Sequence, residues 1–241
     1  MRKLANLVSV LTMLISLNVA TAYAEQPALA TLNAQFETTE CALPCKKSIK
    51  TNWWMWRTPA QIELKKSNAA NSELWTMQDN NQLNYQFLMH DEKRVIEYSS
   101  IDLKMLNMPA DAEKWQALNS LVTQKDLASM KKTKLKKQYQ GLDLTTYAGK
   151  INGIKTNITW IDALQIPLQM IYVYPKTKIT IQLLKRDTTD LVAGATTAAQ
   201  LQGYQQVDYA DIGDMEHSST AKVWLSHASD APGMHTHGHQ H

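Results

Sequence analysis

Histidine and cysteine are scarce in the body of this 241-residue chain, and each scarcity excludes something. Six of the seven His fall within the last 25 residues, leaving only His90 elsewhere. A His-based catalytic triad in the body is therefore not expected. No Gly-x-Ser-x-Gly, His-Glu-x-x-His or phosphate loop occurs, so the expected function is not enzymatic. Beyond the first residues there is no second long apolar stretch, which excludes a polytopic membrane protein. No motif recurs with a period of 20 to 50 residues, so a repeat architecture is not expected. Excess charge is lacking too. The formal charge of +3 includes Arg2 and Lys3, and without them 23 basic residues face 22 acidic ones. Near neutrality gives no argument for a nucleic-acid partner.

Residues 1–24 read as a secretory signal peptide. Arg2 and Lys3 start it, Leu4 to Val19 is mostly apolar, and Ala22-Tyr23-Ala24 offers small residues to a signal peptidase. Asn6, Ser9, Thr12, Ser16 and Asn18 interrupt the apolar run, which argues against an uncleaved membrane anchor. No Cys follows it, so a lipid-modified N-terminal Cys is excluded. The expected location is the periplasm of a Gram-negative bacterium. In that oxidising compartment Cys41 and Cys45, set as Cys-Ala-Leu-Pro-Cys, are expected to form a disulfide. A redox pair and a soft-metal site for copper are the alternatives, although three intervening residues and no βαβ pattern fit a thiol oxidoreductase poorly.

The hydrophobic pattern from Trp53 to Tyr98 is strand-like. Gln61–Lys65 and Leu83–Met89 alternate with period two, and Gln78-Asp79-Asn80-Asn81 and His90-Asp91-Glu92-Lys93 read as turns. Helical spacing then replaces alternation: Trp115, Leu118, Leu121 and Val122 follow Asp111 and Glu113, and a second short helix is expected from Lys125 to about Met130. Lys131 to Lys137 carries five Lys in seven positions. It reads as a solvated face or a Lys-protected edge strand, or else as a contact for anionic headgroups or an acidic partner. Strands return from Gly141, with Asn152-Gly153 as a hairpin turn and another turn at Pro175-Lys176. From Asp187 to Gln206 the chain is polar. The fold class expected is α+β: a mainly antiparallel half-barrel of two meanders wrapping, or covered by, a few short helices.

In the second meander a Gly-bearing hairpin leads to a strand ending in Trp160, then Ile161-Asp162-Ala163-Leu164-Gln165-Ile166-Pro167 and another hairpin. With the helices between two meanders, this resembles the periplasmic lipoprotein-carrier superfamily, the LolA/LolB/RseB-like half-barrels, over residues 50 to 186 at the level of pattern. The resemblance implies an incomplete antiparallel barrel around helices, with an apolar gap for acyl chains. Seven Trp and eleven Met suit such a cleft, and Trp54, Trp56, Trp75 and Trp160 are the expected lining, although Trp and Met at strand spacing commonly serve as core.

At the C-terminus a short amphipathic helix with Val223, Trp224 and Leu225 is expected before a tail that alternates His with small or polar residues. His217, Met234, His235, His237, His239 and His241 are candidate ligands for copper, nickel or zinc. Asp208, Asp211, Asp214 and Glu216 either add oxygen ligands or form an acidic helix start. A purification tag, an inert polar tail and a pH-sensitive tail are the competing readings. The expected organisation is a signal peptide (1–24), an N-terminal segment with the Cys pair (25–50), the half-barrel (51–206) and a C-terminal helix and tail (207–241). The expected function is an exported binding protein for lipid or lipoprotein acyl chains with a metal-binding tail. A periplasmic metal-handling protein and a thiol-disulfide redox protein are the alternatives.

Overall fold

The computed structural model describes residues 29–78, 82–108, 110–187 and 194–213. The export signal read at residues 1–24 and the tail ligands His217, Met234, His235, His237, His239 and His241 lie outside the described residues. The described chain is α+β, an open, curved, half-barrel-like sheet with a few short helices.

The first meander is β2 (Ile49–Arg57), β3 (Gln61–Lys66), β4 (Asn71–Met77), β5 (Leu83–Met89) and β6 (Arg94–Tyr98). The second is β7 (Lys131–Tyr139), β8 (Leu142–Ile151), β9 (Ile154–Ile161), β10 (Ile166–Val173) and β11 (Thr177–Asp187). Strand β1 (Leu32–Ala42) joins them, pairing β2 on one side and β11 on the other. The sheet therefore begins inside the segment 25–50, ahead of residue 51. A short β12 (Gln205–Asp208) lies parallel to β6, giving the order β12-β6-β5-β4-β3-β2-β1-β11-β10-β9-β8-β7. The polar stretch Gln35–Glu40 becomes strand because alternate residues Leu32, Ala34 and Phe36 are buried while their neighbours face outward.

Three short helices carry the chain from β6 to β7: α1 (Ser100–Met105), α2 (Ala112–Ser120) and α3 (Gln124–Ala128). Each starts at an N-cap that satisfies orphan amides. Ser99 and Asp102 form a capping box, Asp111 accepts from the Lys114 amide, and Thr123 from the Asp126 amide. The helices cover the inner face of the sheet. Leu103 and Leu118 pack there with Ile62, Leu64, Trp75, Tyr85, Phe87 and Ile96, and Val122, Leu127 and Met130 pack on Tyr147, Ile158, Trp160 and Met170. Gly149 is needed for the second contact, since a Cβ there would stand 3.0 Å from Met130 Cγ.

Arg57 locks the helices to the sheet. Its guanidinium is fully buried and donates to carbonyls of Asn119 at 2.6 Å, Leu164 at 2.8 Å and Ala30 at 3.2 Å. The Asn119 carbonyl belongs to the last turn of α2, where the helix leaves acceptors unpaired and its dipole favours a cation. Burial lowers the Arg57 pKa to about 10, which leaves it charged at neutral pH.

The second meander curls strongly. Arg186 on β11 stands 5.8 Å from the Tyr139 ring on β7. Four strand spacings separate β11 from β7, roughly 19 Å if the sheet were flat. On the outer face, residues 194–204, including α4 (Ala198–Gln202), run as a strap. Leu201 and Tyr204 cover Leu74, Leu88 and Val95, and Gly194 lies so close to the Trp56 indole that a Cβ would stand 3.2 Å away. Helix α5 (Tyr209–Gly213) follows β12, and Tyr209 stacks on Tyr98 with ring centroids 4.6 Å apart.

Candidate functional site

Residues paired across antiparallel strands share a face, so the register assigns the inner surface rung by rung. One rung runs Trp53, Phe36, Leu183 across β2, β1 and β11. The next runs Thr51, Thr38, Ile181, Met170, Ile158, Tyr147. A third runs Ile49, Glu40, Ile179, Tyr172, Thr156, Gly149. Along these rungs the helices leave a gap. Ile179, Ile181 and Tyr172 are half-buried on a floor that includes fully buried Met170, and Ile49 at the rim is 73% exposed. The result is a partly covered apolar strip on β11 and β10, continued onto β1 and β2 by Thr38, Glu40, Thr51 and Ile49. Trp53 borders it, stacked on Phe36 with centroids 4.7 Å apart, and its indole donates to Thr38 Oγ1 at 3.0 Å. Burial raises the Tyr172 hydroxyl pKa, with Tyr174 and the Asp126 carboxylate adding to the effect, so the phenol stays neutral.

The four expected cleft tryptophans are distributed over separate places. Trp75 is fully buried on the inner face of the first meander, against Tyr85 at 4.4 Å, with its indole donating to Glu73 at 3.3 Å and the Lys114 ammonium 5.0 Å from its ring. Trp160 lies in the cluster beneath α3. Trp54 and Trp56 stack on each other at 5.9 Å on the outer face, since they alternate with inward Trp53 and Met55. Trp53 at the strip is the tryptophan that sequence reasoning left aside. Its signal was the parity of the run Trp53-Trp54-Met55-Trp56, with Met55 opposite the core residue Leu64.

Glu73 and Lys114 are buried charges in the closed part of the inner face. Burial lowers the Lys114 pKa to about 8, partly offset by Glu73 and Asp111. Beside them the Tyr85 hydroxyl, fully buried, has its pKa raised well above the ordinary value by burial, Glu73 and Tyr98.

The outer face holds a polar chain that sequence reasoning missed. Glu63, buried, accepts from Ser72 Oγ at 2.6 Å, the Thr196 amide at 2.6 Å and Thr196 Oγ1 at 2.8 Å. Ser72 Oγ also meets His90 Nε2 at 2.8 Å, and His90 Nδ1 meets the Tyr204 hydroxyl at 2.8 Å. An ionised Glu63 can only accept, so the Ser72 proton points to it and His90 Nε2–H donates to Ser72. Nδ1 then accepts from Tyr204. In this orientation the serine proton is aimed away from the imidazole, opposite to what a nucleophile-base pair requires. The chain instead pins the strap at both ends. A cavity of about 200 Å³ lies beside it, among Trp56, Gln61, Glu63 and Thr196. It is below the size usual for a small-molecule site, and Glu63 already accepts three hydrogen bonds.

Cys41 and Cys45 form a disulfide that closes the β1–β2 loop. The Leu43 amide in this loop donates to the Lys176 carbonyl at 2.8 Å, bracing the loop against the β10–β11 hairpin. Among the described residues no group of three or more His, Cys, Asp or Glu could hold a metal ion, and no helix is long and apolar enough to cross a membrane.

Family models and curated proteins give no match to the sequence. Solved structures do. The chain is similar to MucB at 10% identity with a TM-score of 0.41, over 73% of this chain and 57% of that one. It is similar to a putative outer membrane lipoprotein-sorting protein domain from Vibrio parahaemolyticus at 9% identity with a TM-score of 0.30, over 72% of this chain and 90% of that one. PNGF-II is matched at 8% identity with a TM-score of 0.40, over 77% of this chain but 32% of PNGF-II. The chain thus spans about a third of PNGF-II and a little over half of MucB. No binding residue transfers at such identities.

Proposed function

We propose that this chain is an exported, non-enzymatic binding protein that holds an apolar ligand, a lipid or lipoprotein acyl chain, on the open strip of its inner face. The observation that carries the reading is the half-buried row Tyr172, Ile179 and Ile181 above fully buried Met170. Elsewhere the helices cover the same face, and an apolar surface left open between covered ones suits a ligand that completes the burial. The Cys41–Cys45 disulfide supports an oxidising compartment. In the same proposal the tail, with His217, Met234, His235, His237, His239 and His241, captures copper, nickel or zinc.

Trp53 beside the strip gives the test an intrinsic reporter. A long-chain fatty acid should shift or quench tryptophan fluorescence saturably. Ile179→Glu with Ile181→Glu should weaken that binding at least tenfold. Ile171→Glu, on the outer face one residue from Met170, should leave it unchanged. Equal behaviour of all three proteins would refute the strip. Native mass spectrometry of the chain isolated from its own host, read for both lipid and metal, tests both parts of the proposal together.

A further inference from the structure

The lysines are concentrated at one end of the second meander. At this end β1, β8 and β10 finish and β2, β9 and β11 begin. Lys150, Lys155, Val173, Lys178 and Cys41 form one rung across β8, β9, β10, β11 and β1, so three lysines stand on one face in a single row. Lys176 lies in the hairpin turn next to them, and Lys46 and Lys47 follow the disulfide in the β1–β2 loop. The Leu43–Lys176 hydrogen bond holds that loop and hairpin together, which makes the six lysines one surface. Lys131 and Lys132, exposed at the start of β7 and paired with Ala148 and Tyr147, extend it.

Opposing charge is sparse here. Glu37 is already paired with Lys50 at 2.9 Å, leaving exposed Glu40 and, near Tyr172, Asp126 of α3. The ion pairs among the described residues involve none of the six lysines. Two apolar side chains project from the same rim, Leu43 at 43% and Ile49 at 73% exposure. A near-neutral chain with its lysines grouped around projecting apolar tips is complementary to a surface that is anionic outside and apolar just beneath.

We propose that this rim docks the protein on an anionic lipid bilayer, with the lysines meeting headgroup phosphates and Leu43 and Ile49 entering the headgroup–acyl boundary. The inference is independent of what the strip holds, because it rests on the rim alone. Ile49 nevertheless shares a rung with Ile179 and Tyr172, so the docked rim would place the mouth of the strip at the membrane.

The test is cosedimentation of the purified chain with vesicles of phosphatidylcholine containing 30% phosphatidylglycerol and with vesicles of phosphatidylcholine alone. Binding should require phosphatidylglycerol and fall at least fivefold when salt is raised from 0.1 to 0.5 M. Lys46→Gln, Lys47→Gln and Lys176→Gln together should reduce it at least tenfold. The triple change Lys136→Gln, Lys137→Gln and Lys185→Gln, equal in charge but at the opposite strand ends, should reduce it less than twofold. Leu43→Ser with Ile49→Ser should weaken binding in a way that lower salt does not restore. Far-UV circular dichroism confirms that each variant is folded. Binding to both vesicle types alike, or equal losses from the two lysine triples, would overturn the proposal.

Discussion

The two meanders share one sheet and one kind of strand pairing, yet they use their inner faces differently. In β3–β6 the inward residues Ile62, Leu64, Trp75, Tyr85, Phe87 and Ile96 are at most 2% exposed, sealed by α1 and α2. Around β10 and β11 the equivalent row is half-buried, and the edge strand β7 is exposed along most of its length. Burial of apolar surface stabilises by roughly 25 cal/mol per Å², so the first meander and its helices form the stable core. The second meander leaves part of that gain unrealised, and a ligand can supply it. Under the proposed function, one fold thereby separates anchoring from binding.

Breaking the anchor should give the largest effect. Arg57→Met strands two buried carbonyls, on α2 and the β9–β10 turn, and removes a part-buried hydrogen bond to Ala30 on the N-terminal segment. At about 1–3 kcal/mol for each unsatisfied buried group, a loss of about 2–6 kcal/mol is expected in urea unfolding. An unchanged midpoint would mean that water or neighbouring donors replace the guanidinium.

An identical truncation in each region measures the contrast directly. Ile62→Ala, at a fully buried position, should cost about 3 kcal/mol, and Ile181→Ala about 1 kcal/mol. Saturating fatty acid should narrow the gap by raising the cost at Ile181 alone. Equal costs in the free protein would remove the distinction between a closed and an open face.

The smallest effect concerns the strap. Burial lowers the His90 pKa from 6.5, and Lys65 lowers it further, against opposing contributions from Glu63 and Asp91. A folded state that binds this proton less readily than the unfolded chain loses stability as pH falls through about 6.5, and holds its full contribution above that value. Protonated Nδ1 would also oblige the Tyr204 hydroxyl to turn and accept. His90→Gln keeps a donor and an acceptor without titrating, so its Tm should fall less between pH 7.5 and 5 than that of the parent chain. Parallel profiles would assign the pH dependence to carboxylates.

Much of this fold was legible in the sequence. Strands β3 and β5 announce themselves by period-two alternation, the second meander by its turns at Asn152-Gly153 and Pro175-Lys176, and α2 by helical spacing behind Asp111. Strand β1 is harder to see because its inward series Leu32, Ala34, Phe36 gives way to Thr38 and Glu40. Helix α1 is harder still. It exposes Ile101 and Met105, so no apolar face declares it, and its capping box is the main local signal. The open strip depends on face parity. Alternation in Trp53–Trp56 shows two faces without revealing which one the helices cover. The chain from Glu63 to Tyr204 joins residues far apart in sequence, and no local pattern links His90 to Ser72.

Strand β1 has a consequence for the order of assembly. Each meander can zip locally through short hairpins, and β1 can join β2 the same way, whereas the other edge of β1 must wait for β11, whose residues Thr177 to Asp187 arrive some 140 residues later. The half-buried inner-face strip borders this seam. Under the proposed export and binding, a chain emerging from a translocation pore N-terminus first would expose the first meander's core early and complete the strip only when synthesis and export are nearly finished. Capture of the proposed ligand would then be contingent on a finished molecule.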